Sequence, residues 1–565
     1  MARDVQKENV QKEKDLVFLP LGGIGEIGMN AYLYGLGPEA TREWLLVDLG
    51  VTFPDDREPG VDVVLPDIRF IEKQRSRLAG ILLTHAHEDH FGAVAELWPR
   101  LRVPVYGTRF TIAFLKEKLQ EYGLHTEVPL IEVPIGGRLK IGSFDVELVS
   151  MSHSIPETNG VAIRTPRGMV LHSADWKLDP TPGVGPATDE KKLRGFGDEG
   201  VDVLVCDSTN ALNEGITESE ADVAVSLRKI IMGARGRVAI TSFSSSVSRL
   251  LAIAHATEAA ERHLILAGRS MRRMVDLARE TGMWPEHLKT LSEDDYGYLP
   301  AESVVVLLTG SQGEPRAALA RIAENQHPRI KLGKGDLVIF SARTIPGNEY
   351  PVIRIQNSLA EMGVQVMTEW SGGPIHASGH PRRGEIAKLY QWVRPKTVIP
   401  MHGEARQLEA HVAFARERGL GALSGVRNGK IVRLLPGPAE IIGEVPVGRV
   451  YRDGELLIPG DDDSIRQRRK LSYVGSVVMS IVIRANGEMA TDPQTSFSGV
   501  PEFDGDGDSF ADIAEKAALG AFNSIPRTRR KDPDLVGEAI RKSVRAAIGT
   551  AWGKKPICTV LVSVV

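Results

Sequence analysis

Cysteine is nearly absent: the 565 residues contain two, Cys206 and Cys558, far apart in the chain. A disulfide framework is excluded, and a reducing cytoplasm is the expected location. Long apolar runs are missing as well. No stretch approaches the roughly 20 apolar residues that a membrane-spanning helix needs, so no membrane partner is expected. Aromatic residues make up only 6% of the chain, which leaves few platforms for stacking bases and points to sequence-independent binding of any nucleic acid. Charge of either sign is not in excess: 69 Lys and Arg stand against 73 Asp and Glu, a formal net charge of −4. That argues against a broadly basic surface, yet a local basic channel fits inside a mildly acidic envelope. Residues 1–15 lack the apolar core of a secretory signal and read as a solvated tail.

The remaining composition, 42% hydrophobic and 25% charged, is that of a soluble globular chain of several domains. Residues 16–50 read as strands around a Gly-rich turn, and 140–180 and 201–210 as further strands. Near residue 216 the texture changes. "TESEADVAVSLRKIIMGA" is amphipathic and opens with a capping-box pattern, Thr217 with Glu220. From there to about 370, helical patterns alternate with the apolar runs "GRVAITSF", "RHLILAG", "ESVVVLLTG" and "DLVIFSA", which predicts a parallel α/β sheet. A strand resumes with "KTVIPMHGE" at 396–404. Little periodicity over 451–468 suggests a linker. The last hundred residues then read strand, strand, helix, strand.

The strongest chemical signal is His85-Ala86-His87-Glu88-Asp89-His90, directly after the run "GILLT". Imidazole and carboxylate are the ligand types that borderline divalent cations prefer. In an extended segment His85 and His87 point the same way; Asp89 and His90 lie one turn further on and can face a second ion. One segment cannot complete two coordination shells. His153, Asp175 and His402 each end another apolar run. Singly, each reads as a polar strand end; with the cluster, they complete two sites. A competing motif, Gly23-Ile24-Gly25-Glu26-Ile27-Gly28, matches the dinucleotide fingerprint GxGxxG. The following "MNAYLYG" reads as a strand, so no helix N-terminus would meet a pyrophosphate, and a tight turn near the metal floor is expected instead.

The segment T-H-A-H-E-D-H resembles the HxHxDH signature of the metallo-β-lactamase superfamily, and Asp48 in "LLVDLG" resembles its first motif. "GRSM" at 268–271, "TGSQGEP" at 309–315, "PGNE" at 346–349, "HASGH" at 376–380 and "PMHGE" at 400–404 resemble landmarks of its beta-CASP branch, and of the ribonuclease J family within it. The resemblance implies an α/β fold: a metallo-β-lactamase αββα sandwich interrupted by a beta-CASP α/β domain, plus a small C-terminal α/β domain. The expected boundaries are 16–215 and 372–450 for the two parts of the sandwich, 216–371 for the insertion, and 469–565 for the C-terminal domain. It further implies that His85, His87 and His153 hold one divalent metal, that Asp89, His90 and His402 hold the other, and that Asp175 bridges them. Asp48 would orient a histidine of the cluster. Zinc is the expected metal, with manganese the alternative.

Asp207 matches an acidic beta-CASP motif and His380 the motif histidine, so Asp89, Asp175, Asp207 and His380 are the expected catalytic residues. In "HASGH", His376, Ser378, Gly379 and His380 are expected to hold a 5′-monophosphate. Ser244 and Ser245 stand where many relatives carry "FAS-N", and Arg382 follows the loop; all three are candidate RNA contacts. The implied activity is a two-metal ribonuclease acting 5′→3′ on single-stranded RNA with a 5′-monophosphate preference and some endonuclease activity. Its implied setting is the cytoplasm, in rRNA processing and mRNA decay, as a homodimer or homotetramer built through the C-terminal domain and together with other RNA-decay proteins. Two other readings compete. A lactonase- or thioesterase-type hydrolase shares HxHxDH but has no reason to carry the long insertion or "TGSQGEP". A non-catalytic RNA-binding subunit has no reason to keep a full ligand set.

Overall fold

The computed structural model describes residues 15–368 and 373–565. All of the expected tail but Asp15, and the expected boundary at 371/372, lie outside the described residues. The chain divides into two units, one of Met1–Thr52 with Leu65–Arg449 and one of Phe53–Val64 with Val450–Val565. Among the described residues no helix is long and apolar enough to cross a membrane.

Two sheets dominate the first unit. One has eight strands in the order Glu440–Glu444, Lys430–Leu435, Leu16–Gly22, Ala31–Leu36, Glu43–Val47, Leu78–Leu82, Val105–Gly107, Leu130–Glu132. The other has seven: Gly421–Ala422, Thr397–Met401, Val203–Asp207, Gly168–His172, Asn159–Thr165, Phe144–Ser150, Arg138–Ile141. Side chains alternate across a strand, and here both faces are used. Val161, Ile163, Val203 and Val205 meet Phe18, Tyr32, Leu45 and Leu82 of the opposite sheet. Ala162, Leu204 and Cys206 turn outward onto Leu389, Trp392 and Phe414 of the helices Arg383–Val393 and Ala405–Glu417. This is the expected αββα sandwich.

Between the strands Val203–Asp207 and Thr397–Met401 the chain builds a separate five-stranded sheet. Its order is His263–Ala267, Val304–Leu308, Val238–Thr241, Leu337–Phe340, Gln365–Met367, and every pairing is parallel, as the alternating pattern predicts. The first helix after residue 216 starts differently from the expectation. Ser219, not Thr217, caps the helix Glu220–Gly233, accepting from the Ala221 amide. Thr217 instead donates to Glu385 at 2.6 Å, and Glu220 is taken by Arg249 at 2.9 Å. Tertiary partners outbid the local cap.

In the second unit the strands Gln494–Ser498, Ser476–Ile483 and Ile557–Val564 form a sheet. Val477, Met479 and Ile481 pack on Ala514, Ala518, Ile540 and Val544 of two helices, Phe510–Ser524 and Pro533–Trp552. Only the second helix was expected. The first packs through alanines, which give a weak apolar period. The stretch 451–468, expected as a linker, holds most of the hairpin Arg449–Asp453/Leu456–Pro459 and the start of the helix Asp463–Val474. The Asp62 amide donates to the Arg452 carbonyl, so the hairpin's partner is remote in sequence and leaves no local period.

Candidate metal centre

Most of the expected site residues sit just past the carboxyl end of a strand. Asp48 follows Glu43–Val47; His85 and His87 follow Leu78–Leu82; His153 follows Phe144–Ser150; Asp175 follows Gly168–His172; His402 follows Thr397–Met401. Asp89 and His90 lie in the short helix Glu88–Phe91. The strands supplying them run parallel within each sheet, so their ends share an edge and the loops converge. Asp48, Ala174 and His402 have left-handed backbones with φ of 62°, 52° and 48°. Such strain at three strand ends marks a place where geometry is held by its surroundings.

The side chains meet as two groups. In the first, His87 Nδ1 lies 3.1 Å from His85 Nε2 and 3.0 Å from His153 Nε2. In the second, Asp89, His90, Asp175 and His402 bring one ligand atom each within 4.8 Å of the others. Asp175 Oδ2 lies 3.1 Å from His90 and 3.4 Å from His402 in its own group, and 3.8 Å from His153 of the first. Asp175 Oδ1 is buried and has no hydrogen-bond partner among the described residues.

The outer ring nitrogens are held by acceptors. His90 Nδ1 donates to Asp48 at 2.7 Å, His153 Nδ1 to the Gly379 carbonyl at 2.6 Å, and His402 Nδ1 to Asn30 Oδ1 at 2.9 Å. His85 Nδ1 meets the Thr84 hydroxyl at 2.9 Å, and that hydroxyl donates to Asp48. Protons assigned to the outer nitrogens of His85 and His153 leave lone pairs on their inner ones, facing the rest of the cluster. Burial and crowding by other imidazoles hold His85 and His153 well below the usual histidine range, and burial takes His87 to about 4. On His90 burial opposes charge, but Asp175, Asp89 and Asp48 outweigh it and hold the pKa well above the usual value. Burial would raise Asp175, yet His402 and His90 hold its carboxyl well below the usual range. Converging lone pairs, an orphaned buried oxygen and two carboxylates fit divalent cations.

Beside the cluster, His380 Nδ1 lies 2.8 Å from Asp207 Oδ2, and its ring stacks on His402 at 5.5 Å. Asp207 is fully buried, and its other oxygen accepts from the Thr209 amide and hydroxyl. Burial opposes charge on His380, but Asp207, Asp175 and Asp89 push its pKa up to about 9. The "HASGH" loop wraps this histidine. Ser378 Oγ accepts from Asn210 at 2.9 Å. At Gly379 a Cβ would come within 2.7 Å of His153 Cε1, so only glycine lets the loop approach the cluster. His376 is half-buried; burial, with Arg249, Lys177 and Arg343, takes its pKa down to about 3.

Not every candidate joins the centre. Ser244 and Ser245 lie in the turn before the helix Val247–Ala259. From that helix Arg249 Nη1 donates to the carbonyl of Ile375, the residue before "HASGH", at 3.0 Å. Arg382 is engaged by Glu218 at 3.1 Å and by the Ile216 carbonyl. Several other arginines are paired in the same way: Arg272 with Glu293, Arg383 with Glu214, Arg466 with Asp463, Arg468 with Asp453.

Asn30, Thr84 and Arg249 were not singled out from sequence. Asn30 is wholly buried; its amide donates to the Asp89 carbonyl while Oδ1 takes the Tyr32 hydroxyl and faces His402. The signal available was an asparagine opening the apolar strand "AYLYG". The Gly-rich turn behaves as expected, with the His402 amide donating to the Gly23 carbonyl at 2.8 Å.

Four family models match the chain. Residues 44–216 match the beta-lactamase superfamily domain, and 235–359 the beta-CASP domain of ribonuclease J. Residues 374–423 match the Zn-dependent metallo-hydrolase RNA specificity domain, and 463–565 the ribonuclease J C-terminal domain. A ribonuclease J of Sinorhizobium meliloti is 48% identical over 98% of both chains. One from Corynebacterium glutamicum is 37% identical over 95% of this chain and 74% of its own, and one from Thermus thermophilus 36% identical over 82% and 81%. A crystal structure of a protein of unknown function from Enterococcus faecalis superposes with a TM-score of 0.51 at 16% identity. It covers 74% of this chain and 99% of that one, and shows likeness of fold alone.

Proposed function

This chain belongs to the ribonuclease J family, and on that premise we propose that it is a metal-dependent ribonuclease cutting single-stranded RNA 5′→3′ from 5′-monophosphate ends, with endonuclease activity besides. The observation that carries the reading is the convergence of seven side chains, from strand ends and one short helix, onto two groups, with Asp175 of the second lying 3.8 Å from His153 of the first. His85, His87 and His153 would hold one divalent ion and Asp89, His90 and His402 the other, with Asp175 between them. Zinc suits this histidine-rich set, and manganese is the alternative. Bound ions of this kind acidify water and neutralise charge on phosphoryl oxygens.

The chain's own groups supply the rest. Asp207 holds the His380 ring by one nitrogen, leaving the other to face the reacting phosphate. Held at 2.8 Å by the buried Asp207 carboxylate, this imidazole suits proton donation to the departing 3′-oxygen. His376, Ser378 and the Gly379 amide are neutral donors beside His380, suited to a terminal phosphate that sets the register of cutting. Residues 216–371 would form the inserted domain between the two parts of the sandwich, 16–215 and 372–450. The cytoplasm, in RNA maturation and decay, is the proposed setting. For assembly, Val478 and Leu561 lie exposed on the sheet face away from the two C-terminal helices, and we assign a homo-oligomer contact to them.

The test is degradation of one RNA carrying a 5′-monophosphate, 5′-triphosphate or 5′-hydroxyl, with metal supplied or chelated. Mononucleotide release from the monophosphate form, lost in His380→Ala, is expected. An enzyme that leaves all three RNAs intact while hydrolysing a lactone or thioester would sink the reading.

A further inference from the structure

Two motifs take no part in the metal centre: "GRSM" at 268–271 and the loop around "TGSQGEP" at 309–315. They follow neighbouring parallel strands, His263–Ala267 and Val304–Leu308, and together line a cavity of about 850 Å³. The crevice beyond the carboxyl ends of parallel strands is where α/β folds bind ligands, and this volume lies within the range of roughly 300–1,000 Å³ found for small-molecule sites.

The lining is rich in arginine, and its charge is not balanced. Arg272 is paired with Glu293 at 2.7 Å, and Arg273 with Glu117 and Glu121 at 2.7 and 2.9 Å. Arg269, Arg316 and Arg321 also line the cavity. They are exposed, and none has a carboxylate at ion-pair distance among the described residues. Glu314, the carboxylate nearest to them in sequence, accepts from the Gln312 amide at 3.0 Å. Arg269 and Ser270 also open a twelve-residue helix, Arg269–Glu280, whose N-terminus has no side-chain cap. Three guanidiniums without partners, set on two sides of one hollow, ask for an anion of comparable charge. The lining has no aromatic ring apart from the His327 imidazole, so nothing in it would grip a base by stacking.

We propose that this cavity binds the phosphate chain of a small di- or triphosphate, reading the phosphates and not the base. The source is a free nucleotide or inorganic oligophosphate. The site is separate from the metal centre and does not depend on the ribonuclease reading.

Isothermal titration of the metal-loaded, full-length protein with inorganic tripolyphosphate, ATP and GTP tests the assignment. One saturable site per chain is expected, with ATP and GTP within about threefold of each other. Arg316→Ala with Arg321→Ala should weaken all three ligands about tenfold or more, since each guanidinium would supply a charge-assisted contact to phosphate. Both arginines are exposed, so the variant should melt as the parent does. His376→Ala should leave binding unchanged. Tight tripolyphosphate binding with none by ATP or GTP would assign the cavity to the inorganic chain; equal binding would assign it to the shared phosphate tail. Binding that survives the double arginine change would mean chelation at the metal centre and would overturn the proposal. So would absence of saturable binding up to millimolar ligand, or displacement by a short 5′-hydroxyl RNA, which would place the cavity on the substrate path.

Discussion

Asp48 Oδ2 sits 2.7 Å from His90 Nδ1 and also takes the Thr84 hydroxyl that holds His85. One buried oxygen therefore sets the ring orientation of a histidine in each metal group. In Asp48→Asn an amide replaces one acceptor, and the His90 proton is driven toward the inner nitrogen. Metal affinity should fall about 10- to 100-fold, as for other groups that orient metal ligands. Activity should recover at high metal concentration; a metal titration of RNA cleavage reads both.

Gly379→Ala tests the contact between the "HASGH" loop and the cluster. The added methyl meets His153 at 2.7 Å, so loop or ring must move. Loss of about half of the bound metal by elemental analysis is expected, with activity down about 100-fold, as for a misplacement of about 1 Å. Unchanged metal content and activity would show that the loop yields freely.

Arg249 is buried and ties Glu220, Ser341 and the Ile375 carbonyl together. Arg249→Met leaves Glu220 buried with Lys177, 3.7 Å away, as its remaining cation. Breaking such a pair from one side costs about 3–5 kcal/mol. A lower melting temperature is expected, together with a weaker preference for 5′-monophosphate RNA, because the loop carrying His376 loses its anchor.

His411 bridges the Ser208 and Tyr390 hydroxyls at 2.9 and 2.7 Å, and burial takes its pKa down to about 4. Between pH 7 and pH 5 the unfolded chain takes up a proton here that the folded chain refuses, so stability falls with pH. His411→Gln lacks that penalty. Denaturant titration should find the variant less stable at pH 7 and the gap narrower by about 2 kcal/mol at pH 5.

The seven candidate ligands were legible because chemistry-bearing residues stood at the ends of apolar runs, where loops of parallel sheets converge. The inserted sheet was legible for a similar reason: its strands are continuous apolar runs between amphipathic helices. What stayed hidden depends on remote partners. Asn30 and Thr84 are ordinary polar residues until His402 and His85 are placed against them. Arg249 reads as one basic residue in a helix until Glu220 and the Ile375 carbonyl close around it. The same holds for Thr217, whose local pattern promised a cap that Ser219 provides, and for the hairpin near 450, completed from around residue 62.

The strand that ends at Asp207 lies in register beside the one that ends at Met401, next to His402. Nearly two hundred residues must be synthesised between these neighbours. A nascent chain that has already released His85, His90, His153 and Asp175 from the ribosome still lacks His402 and the strand that seats it. In such a chain the gathering of side chains around Asp175 stays unfinished until the second half of the sandwich has been made.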